Sequence, residues 1–295
     1  MYTDVVRYEG AIFRPPSEAY SLIIQSTIGC SNNTCHFCGA FREKVFRLRP
    51  LEEVLEDLFR ARAFYTRVER IFFADGDALI RPTEDWIALL DCIREQFPEC
   101  TRVSTYASPR SLLLKTPEEL TQLRQLGLAM VYMGLESGSD TVLEDMCKNA
   151  TAAQIIEAGH KAKAAGMKLS VTAISGLGGQ ELWEEHAVET GRAFTAMKPD
   201  YIGLLTLIIE PQTPLGARYR RGEFHPLDPT DGVFRETKLM LEHTDCDGCI
   251  FRSNHASNYL PLGGTLNRDR AAMIARLDSA LAGGQRLRPD WMRGL

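Results

Sequence analysis

Residues 29–39 read Gly-Cys-Ser-Asn-Asn-Thr-Cys-His-Phe-Cys-Gly and contain three of the eight cysteines of the chain. Their spacing, Cys30-x4-Cys35-x2-Cys38, allows three soft thiolates to face one inorganic centre, and iron–sulfur clusters and zinc are the usual occupants. A structural zinc site needs four ligands, commonly from two Cys-x2-Cys pairs, and the other such pair, Cys246/Cys249, lies far away in the sequence. The stretch therefore predicts a [4Fe–4S] cluster with three protein ligands and one open iron. A plant-type ferredoxin uses the same spacing and stays an alternative at this point.

Composition limits the other functions. The chain has 295 residues, 44% hydrophobic residues and a net charge of −5, which suits one large domain or one domain with an appendage. This charge predicts no nucleic-acid partner. We find no apolar run near the ~20 residues that span a bilayer, and residues 1–4 lack the basic-then-apolar pattern of a signal peptide. We therefore expect a cytoplasmic protein with reduced thiols and no membrane partner.

A regular alternation of strands and helices surrounds the cysteine stretch. A strand at 21–25 leads directly into it, and further strands are predicted at 71–74, 101–106, 130–135, 168–174 and 201–207. A helix is predicted after each of the first five strands, and capping boxes mark two of the helix starts, at Thr116 and Thr151. Alternating strands and helices predict a parallel sheet with helices outside. Six units fall short of a complete eightfold barrel, so the fold class is α/β, either an open partial (β/α)6 barrel or a doubly wound sheet.

The polar and glycine-rich clusters all follow predicted strands. They occupy residues 30–38, 75–77, 136–138 and 175–179. Because chemistry in such folds belongs at the carboxyl ends of the strands, this edge is the predicted site.

The pattern changes near Glu210, where four prolines interrupt the chain within 20 residues. We expect an N-terminal extension at 1–18, a barrel at 19–215, and a C-terminal α-rich extension at 216–295 that covers the barrel or extends its sheet.

Two features in the C-terminal extension have open interpretations. Cys246-x2-Cys249 is a pair of ordinary thiols, a ligand pair for an auxiliary cluster or metal, or a redox dithiol. The polar stretch 251–259 is a solvated loop or a lining of the substrate pocket, with Arg252 and His255 as the residues to test. A run of basic residues directly after the cysteines is similarly open, as a solvated segment or an anion-binding patch; it comprises Arg42, Lys44, Arg47 and Arg49.

The sequence resembles the radical S-adenosylmethionine (SAM) superfamily over roughly residues 19–215. That family places a Cys-x3-Cys-x2-Cys loop, with an aromatic residue before the last cysteine, after the first strand of a partial (β/α)6 barrel. Cys30, Cys35, Phe37 and Cys38 match this pattern with one extra residue between the first two cysteines. The turn Asp75-Gly76-Asp77 resembles the family's Gly-Gly-Glu turn, with aspartate in place of glutamate.

The resemblance implies both cofactors and roles. The three cysteines would hold a [4Fe–4S] cluster, and SAM would contact Phe37, Gly76, Asp77 and, at later strand ends, Glu136, Ser137 and Ser175. The cluster would cleave SAM reductively to a 5′-deoxyadenosyl radical that takes hydrogen from a substrate, which we expect to be a small molecule. A low-potential donor such as flavodoxin or ferredoxin would supply the electron. A second cluster at Cys246/Cys249 and a non-catalytic iron–sulfur electron carrier stay open as alternatives.

Overall fold

The computed structural model describes residues 5–289 and 291. Ten strands are present in the described chain: β1 Leu22–Gln25, β2 Thr27–Ile28, β3 Arg47–Leu48, β4 Arg70–Ala74, β5 Arg102–Ala107, β6 Leu128–Glu136, β7 Lys168–Ser175, β8 Tyr201–Thr206, β9 Ile250–Ser253 and β10 Leu262–Thr265. The α-helices are α1 Leu51–Phe64, α2 Thr83–Gln96, α3 Pro109–Leu114, α4 Pro117–Gln125, α5 Asp140–Asp145, α6 Ala152–Ala164, α7 Gly179–Met197, α8 Pro214–Arg220, α9 Asp231–Glu242 and α10 Arg270–Leu281. Short 3-10 turns occupy Pro16–Glu18 and Ala78–Ile80.

Eight of these strands form one sheet in the order β1-β4-β5-β6-β7-β8-β9-β10. Within this sheet the pairs β1/β4, β4/β5, β5/β6, β7/β8 and β8/β9 are parallel, and the last pair, β9/β10, is antiparallel. The strands β2 and β3 form a separate antiparallel pair. The predicted α/β class with a mostly parallel sheet is therefore confirmed. The six predicted strands and both predicted capping boxes are present.

The C-terminal region differs from the sequence prediction. Two strands, β9 and β10, lie within the extension at 216–295 that we predicted to be α-rich, and β9 overlaps the predicted polar stretch 251–259. β9 continues the parallel sheet beyond β8, with Gly203 opposite Arg252. The carboxyl ends of β8 and β9 therefore lie at the same edge of the sheet, and the residues that follow β9 begin at that edge.

The chain divides into two compact units. The first comprises the described residues up to Asn33 together with Ala40–Met133 and Ala158–Leu169. In β4 the apolar run Ile71–Ala74 is buried because both faces of the strand are covered. Phe73 packs edge-on against Trp86 of α2, whereas Phe72 points to the other face and contacts Tyr106 and Tyr132. Each fully buried aromatic side chain of this kind stabilises the fold by roughly 1.5–3 kcal/mol.

The N-terminal segment adds a buried acid to the first unit. Glu18 is fully buried, and its carboxylate accepts hydrogen bonds from Tyr132 (2.5 Å), Arg102 (2.8 Å) and Ser104 (3.0 Å). Since an unpaired buried carboxylate would be costly, this network fixes the turn at Pro16–Glu18 against β5 and β6.

The second unit comprises Thr34–Gly39, Gly134–Glu157 and the chain from Ser170 onward. Along β7 and β8 every second side chain is buried, and the alternating residues are half-buried. This period-2 pattern gives the sheet one face packed under helices and one open face. Thr172, Gly203 and Arg252 lie in one row across the open face.

Candidate active site

Residues at the carboxyl end of β4 clasp the start of the cysteine loop in the first unit. The backbone N–H of Gly29 donates to Oδ2 of Asp75 (2.7 Å), and the N–H of Gly76 donates back to the carbonyl of Gly29 (3.1 Å). A Cβ atom at position 76 would lie 2.6 Å from the Cβ and 2.8 Å from the Sγ of Cys30. Only glycine therefore fits beneath the first cysteine.

Asp75 has an unusual backbone and a crowded carboxylate. Its φ is 67°, in the left-handed region that favours glycine, and its side chain is fully buried. The carboxylate accepts from Nζ of Lys44 (3.0 Å) and from Nε2 of Gln25 (3.0 Å) as well as from Gly29. Sequence reasoning placed Asp75 in the family-like turn but did not find its lysine partner.

Asp77, predicted to contact SAM, is also buried and already accepts three hydrogen bonds. Its Oδ1 accepts the N–H of Ser108 (2.8 Å), and its Oδ2 accepts the hydroxyls of Ser108 (2.8 Å) and Ser31. Ser108 in turn caps α3. The carboxylate thus connects the cysteine loop to the end of β5.

The later part of the cysteine loop is held in the second unit by residues that follow α5. The N–H of His36 donates to the carbonyl of Met146 (2.9 Å), and Nε2 of His36 lies 3.1 Å from Sγ of Cys147. Thr34 donates to the carbonyl of Cys147 and accepts from Nδ2 of Asn149 (2.8 Å). Cys147 therefore contacts the loop.

An ion pair lies close to the second cysteine. Cys35 is buried, and burial raises the pKa of its thiol to about 11, while the nearby Lys148 ammonium acts in the opposite direction. Nζ of Lys148 is 2.9 Å from Oε1 of Glu136, a residue at the end of β6 with φ 64°. A Cβ at Gly134 would lie 1.8 Å from Oε1 of Glu136, so a larger residue there would displace this carboxylate. Binding an inorganic centre at these thiols must release their protons.

Phe37 and Gly39 show how tightly the loop packs. Phe37 lies against a buried apolar cluster of the second unit that comprises Val142, Met146, Leu177, Leu215 and Phe224. A Cβ at Gly39 would lie 2.2 Å from a carboxylate oxygen of Glu210, which follows β8. Glu210 has no signal in the sequence that relates it to the cysteines.

Ser137 and Ser175, both predicted to contact SAM, bond to side chains of helices. Oγ of Ser137 is 2.8 Å from Nδ1 of His186 on α7, and burial lowers the pKa of that imidazole to about 4. Ser175 donates to Glu236 on α9, and Oε2 of Glu236 also accepts the N–H of Gly176 (2.7 Å). The structure gives both serines protein partners, and their proposed contacts with SAM stay predictions.

Glu236 is the main residue that sequence reasoning missed. It is fully buried, and burial raises its pKa to about 8, although the bonds from Ser175 and Gly176 act to lower it. Its second oxygen, Oε1, is buried with no hydrogen-bond partner in the described chain. The available sequence signal is an acidic residue among the apolar positions of the amphipathic helix α9.

Cys246 and Cys249 form a tight turn in the second unit. The N–H of Cys249 donates to the carbonyl of Cys246 (3.3 Å), Gly248 has φ 77°, and both thiols are buried. Among residues 5–289 and 291, no group of three or more His, Cys, Asp and Glu side chains is placed to hold a single metal ion. The auxiliary-metal role of this pair and the cluster-binding role of Cys30, Cys35 and Cys38 both stay predictions.

Three residues of the basic run after the cysteines form ion pairs with acidic side chains elsewhere in the chain. Lys44 bonds Asp75, Arg47 bonds Glu9 and Arg49 bonds Asp57. These contacts favour a structural role for the three cations over an anion-binding patch.

The segment that follows β9 packs against the end of β8. Oγ1 of Thr206 donates to Oδ1 of Asn258 (2.9 Å), and the N–H of Thr206 donates to Oγ of Ser257 (3.1 Å). Nδ1 of His255 accepts the N–H of Ser257 (3.1 Å), which fixes the imidazole ring. Arg252 stands on the open face of β9, with one guanidinium nitrogen 2.8 Å from the carbonyl of Phe251.

A comparison with protein-family models identifies the family of the chain. The family model described as the radical SAM superfamily matches residues 24–190, more than half of the chain. The chain belongs to the radical SAM superfamily. The match covers the cysteine loop and the ends of β4, β6 and β7. A non-catalytic electron carrier is not favoured by this assignment.

Solved structures of radical SAM proteins share the fold. The chain is similar to the methyltransferase TsrM from Kitasatospora setae, with tryptophan and a SAM analogue bound (TM-score 0.56, 18% identity, 70% of this chain and 39% of that chain). It is also similar to coproporphyrinogen III oxidase HemN from Escherichia coli (0.54, 17%, 75% and 50%) and to methylornithine synthase PylB (0.50, 14%, 92% and 83%). At these identities the likeness shows the fold alone, and it confirms the partial barrel predicted from the sequence.

The radical SAM chain spans only about two fifths to half the length of TsrM and HemN. No curated protein sequence matches it. Within its described residues, no helix is both long enough and apolar enough to cross a bilayer.

Proposed function

We propose that this chain is a radical SAM enzyme that binds a [4Fe–4S] cluster through Cys30, Cys35 and Cys38. The observation that carries the proposal is the clasp at the end of β4, where Gly76 packs directly beneath Cys30 and no side chain would fit. Three thiols at this spacing are a suitable donor set for an iron–sulfur cluster. A loop fixed by the backbone of Gly29 and Gly76 presents Cys30 in one position.

The residues around the loop would bind and orient SAM. A reduced [4Fe–4S] cluster at these thiols would supply one electron to the SAM sulfonium, and the resulting cleavage would give methionine and a 5′-deoxyadenosyl radical that takes a hydrogen atom from substrate. The chain's own part is to orient the reacting groups and to exclude water. Candidate contacts are Phe37, Gly76, Asp77, Glu136, Ser137 and Ser175. Because the Asp77 carboxylate already accepts three hydrogen bonds, we assign it to shaping the turn as well as to contact with SAM.

The substrate would be a small molecule that binds beside β9. This strand is parallel to β8, so the segment from Asn254 to Asn258 follows its carboxyl end, where binding residues of parallel sheets are usually found. Arg252 and His255 are the polar residues that we assign to substrate contact. The electron would come from a low-potential donor such as flavodoxin or ferredoxin.

Anaerobic reconstitution tests the enzyme assignment. The reconstituted chain, reduced with dithionite and given SAM, should produce 5′-deoxyadenosine, and the Cys38→Ala variant should produce none. If the cluster is intact and SAM is bound but no 5′-deoxyadenosine forms, the chain is not a radical SAM enzyme. Adding pools of small metabolites to the same assay should reveal substrate as an increase in 5′-deoxyadenosine. Arg252→Ala should lose that increase and keep the basal cleavage.

A further inference from the structure

The turn after β4 carries an aspartate in a backbone conformation that favours glycine. For a residue with a side chain, φ of 67° at Asp75 carries a cost in backbone strain. Glycine would adopt the same φ without this cost. The presence of aspartate instead of glycine at position 75 therefore points to a role for its carboxylate.

The carboxylate fixes the residue that precedes the first cysteine. Its Oδ2 accepts the N–H of Gly29 at 2.7 Å, which leaves that donor satisfied in a buried place. Gly29 itself has φ 78°, so this bond selects one left-handed geometry at the entry to the loop. The returning bond from the N–H of Gly76 to the carbonyl of Gly29 closes the clasp.

A buried lysine completes the arrangement. Nζ of Lys44 lies 3.1 Å and 3.0 Å from the two oxygens of Asp75, and it also donates to the carbonyl of Ala11 (2.6 Å). The two side chains are 7% and 0% exposed. A charge pair this well shielded from water acts strongly on nearby charges, and the Cβ of Lys44 packs 3.3 Å from where a Cβ of Gly29 would be.

We propose that Asp75 and Lys44 are positioning residues that hold Cys30 in its cluster-binding place and balance the charge beside the cluster. This inference rests on the proposed cluster at Cys30, Cys35 and Cys38. It assigns to both residues a role toward the cluster, whereas the resemblance relates the turn to SAM.

Two substitutions that remove charges of opposite sign should shift the midpoint potential of the cluster in opposite directions. Asp75→Asn leaves the Lys44 ammonium without its partner, so the reduced and more negative cluster is stabilised and the midpoint potential rises. Lys44→Met leaves the Asp75 carboxylate without its partner, and the midpoint potential falls. A purely structural role would lower cluster content in both variants without shifts of opposite sign.

The measurement is the midpoint potential of the reconstituted cluster, followed by electron paramagnetic resonance, with iron content per chain. Asp57→Asn is the matched control, because the Arg49–Asp57 pair has the same 7% and 0% exposures and does not bond the cysteine loop. It should lower the urea midpoint of unfolding and leave the cluster potential unchanged. Asp75→Gly relieves the backbone strain, and it should still shift the potential upward and lower the iron content.

Several results would overturn the proposal. One is an Asp75→Gly variant with the iron content and potential of the native chain. Another is a pair of variants, Asp75→Asn and Lys44→Met, whose potentials move in the same direction or not at all. Since the potential is measured without SAM, a native chain that holds four irons but makes no 5′-deoxyadenosine would refute the proposed enzyme and leave this inference standing. A native chain that binds no cluster would refute both.

Discussion

The buried acid Glu236 should make the stability of this protein fall as the pH rises. Burial raises its pKa from an ordinary 4.5 to about 8, so the folded state keeps a proton that the unfolded chain releases. A group with a raised folded pKa contributes stability that is full below pH 4.5 and is lost as pH rises through 8. Each unit of separation is worth about 1.4 kcal/mol, so the whole window amounts to on the order of 5 kcal/mol.

The stability contribution of His186 has the opposite pH dependence. It limits the pH interval in which the effect of Glu236 can be measured alone. Burial lowers its pKa from 6.5 to about 4, so its contribution is full above pH 6.5 and is lost as the pH falls toward 4. Between pH 4.5 and 6.5 the two slopes oppose each other. Between pH 6.5 and 8 only the Glu236 slope of this pair remains, and it should lower the free energy of unfolding by about 1.5 kcal/mol.

Glu236→Gln isolates this effect, because glutamine keeps the shape and cannot ionise. The assay is urea unfolding of the reconstituted protein under anaerobic conditions, followed by tryptophan fluorescence at pH 6.5 and pH 8. The native chain should lose about 1.5 kcal/mol more than the variant across this interval. Equal losses in the two proteins would show that Glu236 is already ionised at pH 6.5, and the reasoning from its burial would be wrong.

Further expectations concern the cysteines and their surroundings. Gly76→Ala should abolish cluster binding because its Cβ would overlap Cys30, whereas Gly203→Ala, whose Cβ would meet nothing closer than 3.9 Å, should keep it; equal iron contents would contradict this. In Gly134→Ala the new Cβ would lie 1.8 Å from Oε1 of Glu136 and should displace this carboxylate. We expect SAM binding, measured by equilibrium dialysis, to weaken several-fold while the iron content stays native. If Cys246 and Cys249 hold a second cluster, the native chain should contain about eight irons and the double alanine variant about four; four irons in both would exclude it.

Local patterns explain why most of the fold could be predicted. The buried strand β4 is a short apolar run, and each of two helices begins with a capping box that the sequence shows directly. The last two strands escaped prediction because β9 and β10 have four residues each and follow a proline-rich region. β9 pairs with β8, about 50 residues earlier, and β10 pairs with β9, so no local pattern reports the first of these pairings.

The candidate site was predictable where its parts are contiguous. The cysteine spacing and the turn at Asp75–Asp77 stand out in the sequence because each is a single stretch. Their partners come from distant positions: Lys44 is 31 residues from Asp75, and Glu236 is 61 residues from Ser175. Such pairs carry no spacing rule, since the fold alone brings them together.

The extra residue between Cys30 and Cys35 now has a physical account. Intervening side chains bond to fixed partners: Ser31 to Asp77, Asn33 to the carbonyls of Phe41 and Lys44, and Thr34 to residues that follow α5. A longer loop costs little additional closure entropy, and these bonds restrain the residues that it adds. The first cysteine is set independently, through Gly29, by Asp75. The loop can therefore differ in length from the usual family pattern because its two ends are positioned by separate sets of contacts, and its length is not what places Cys30.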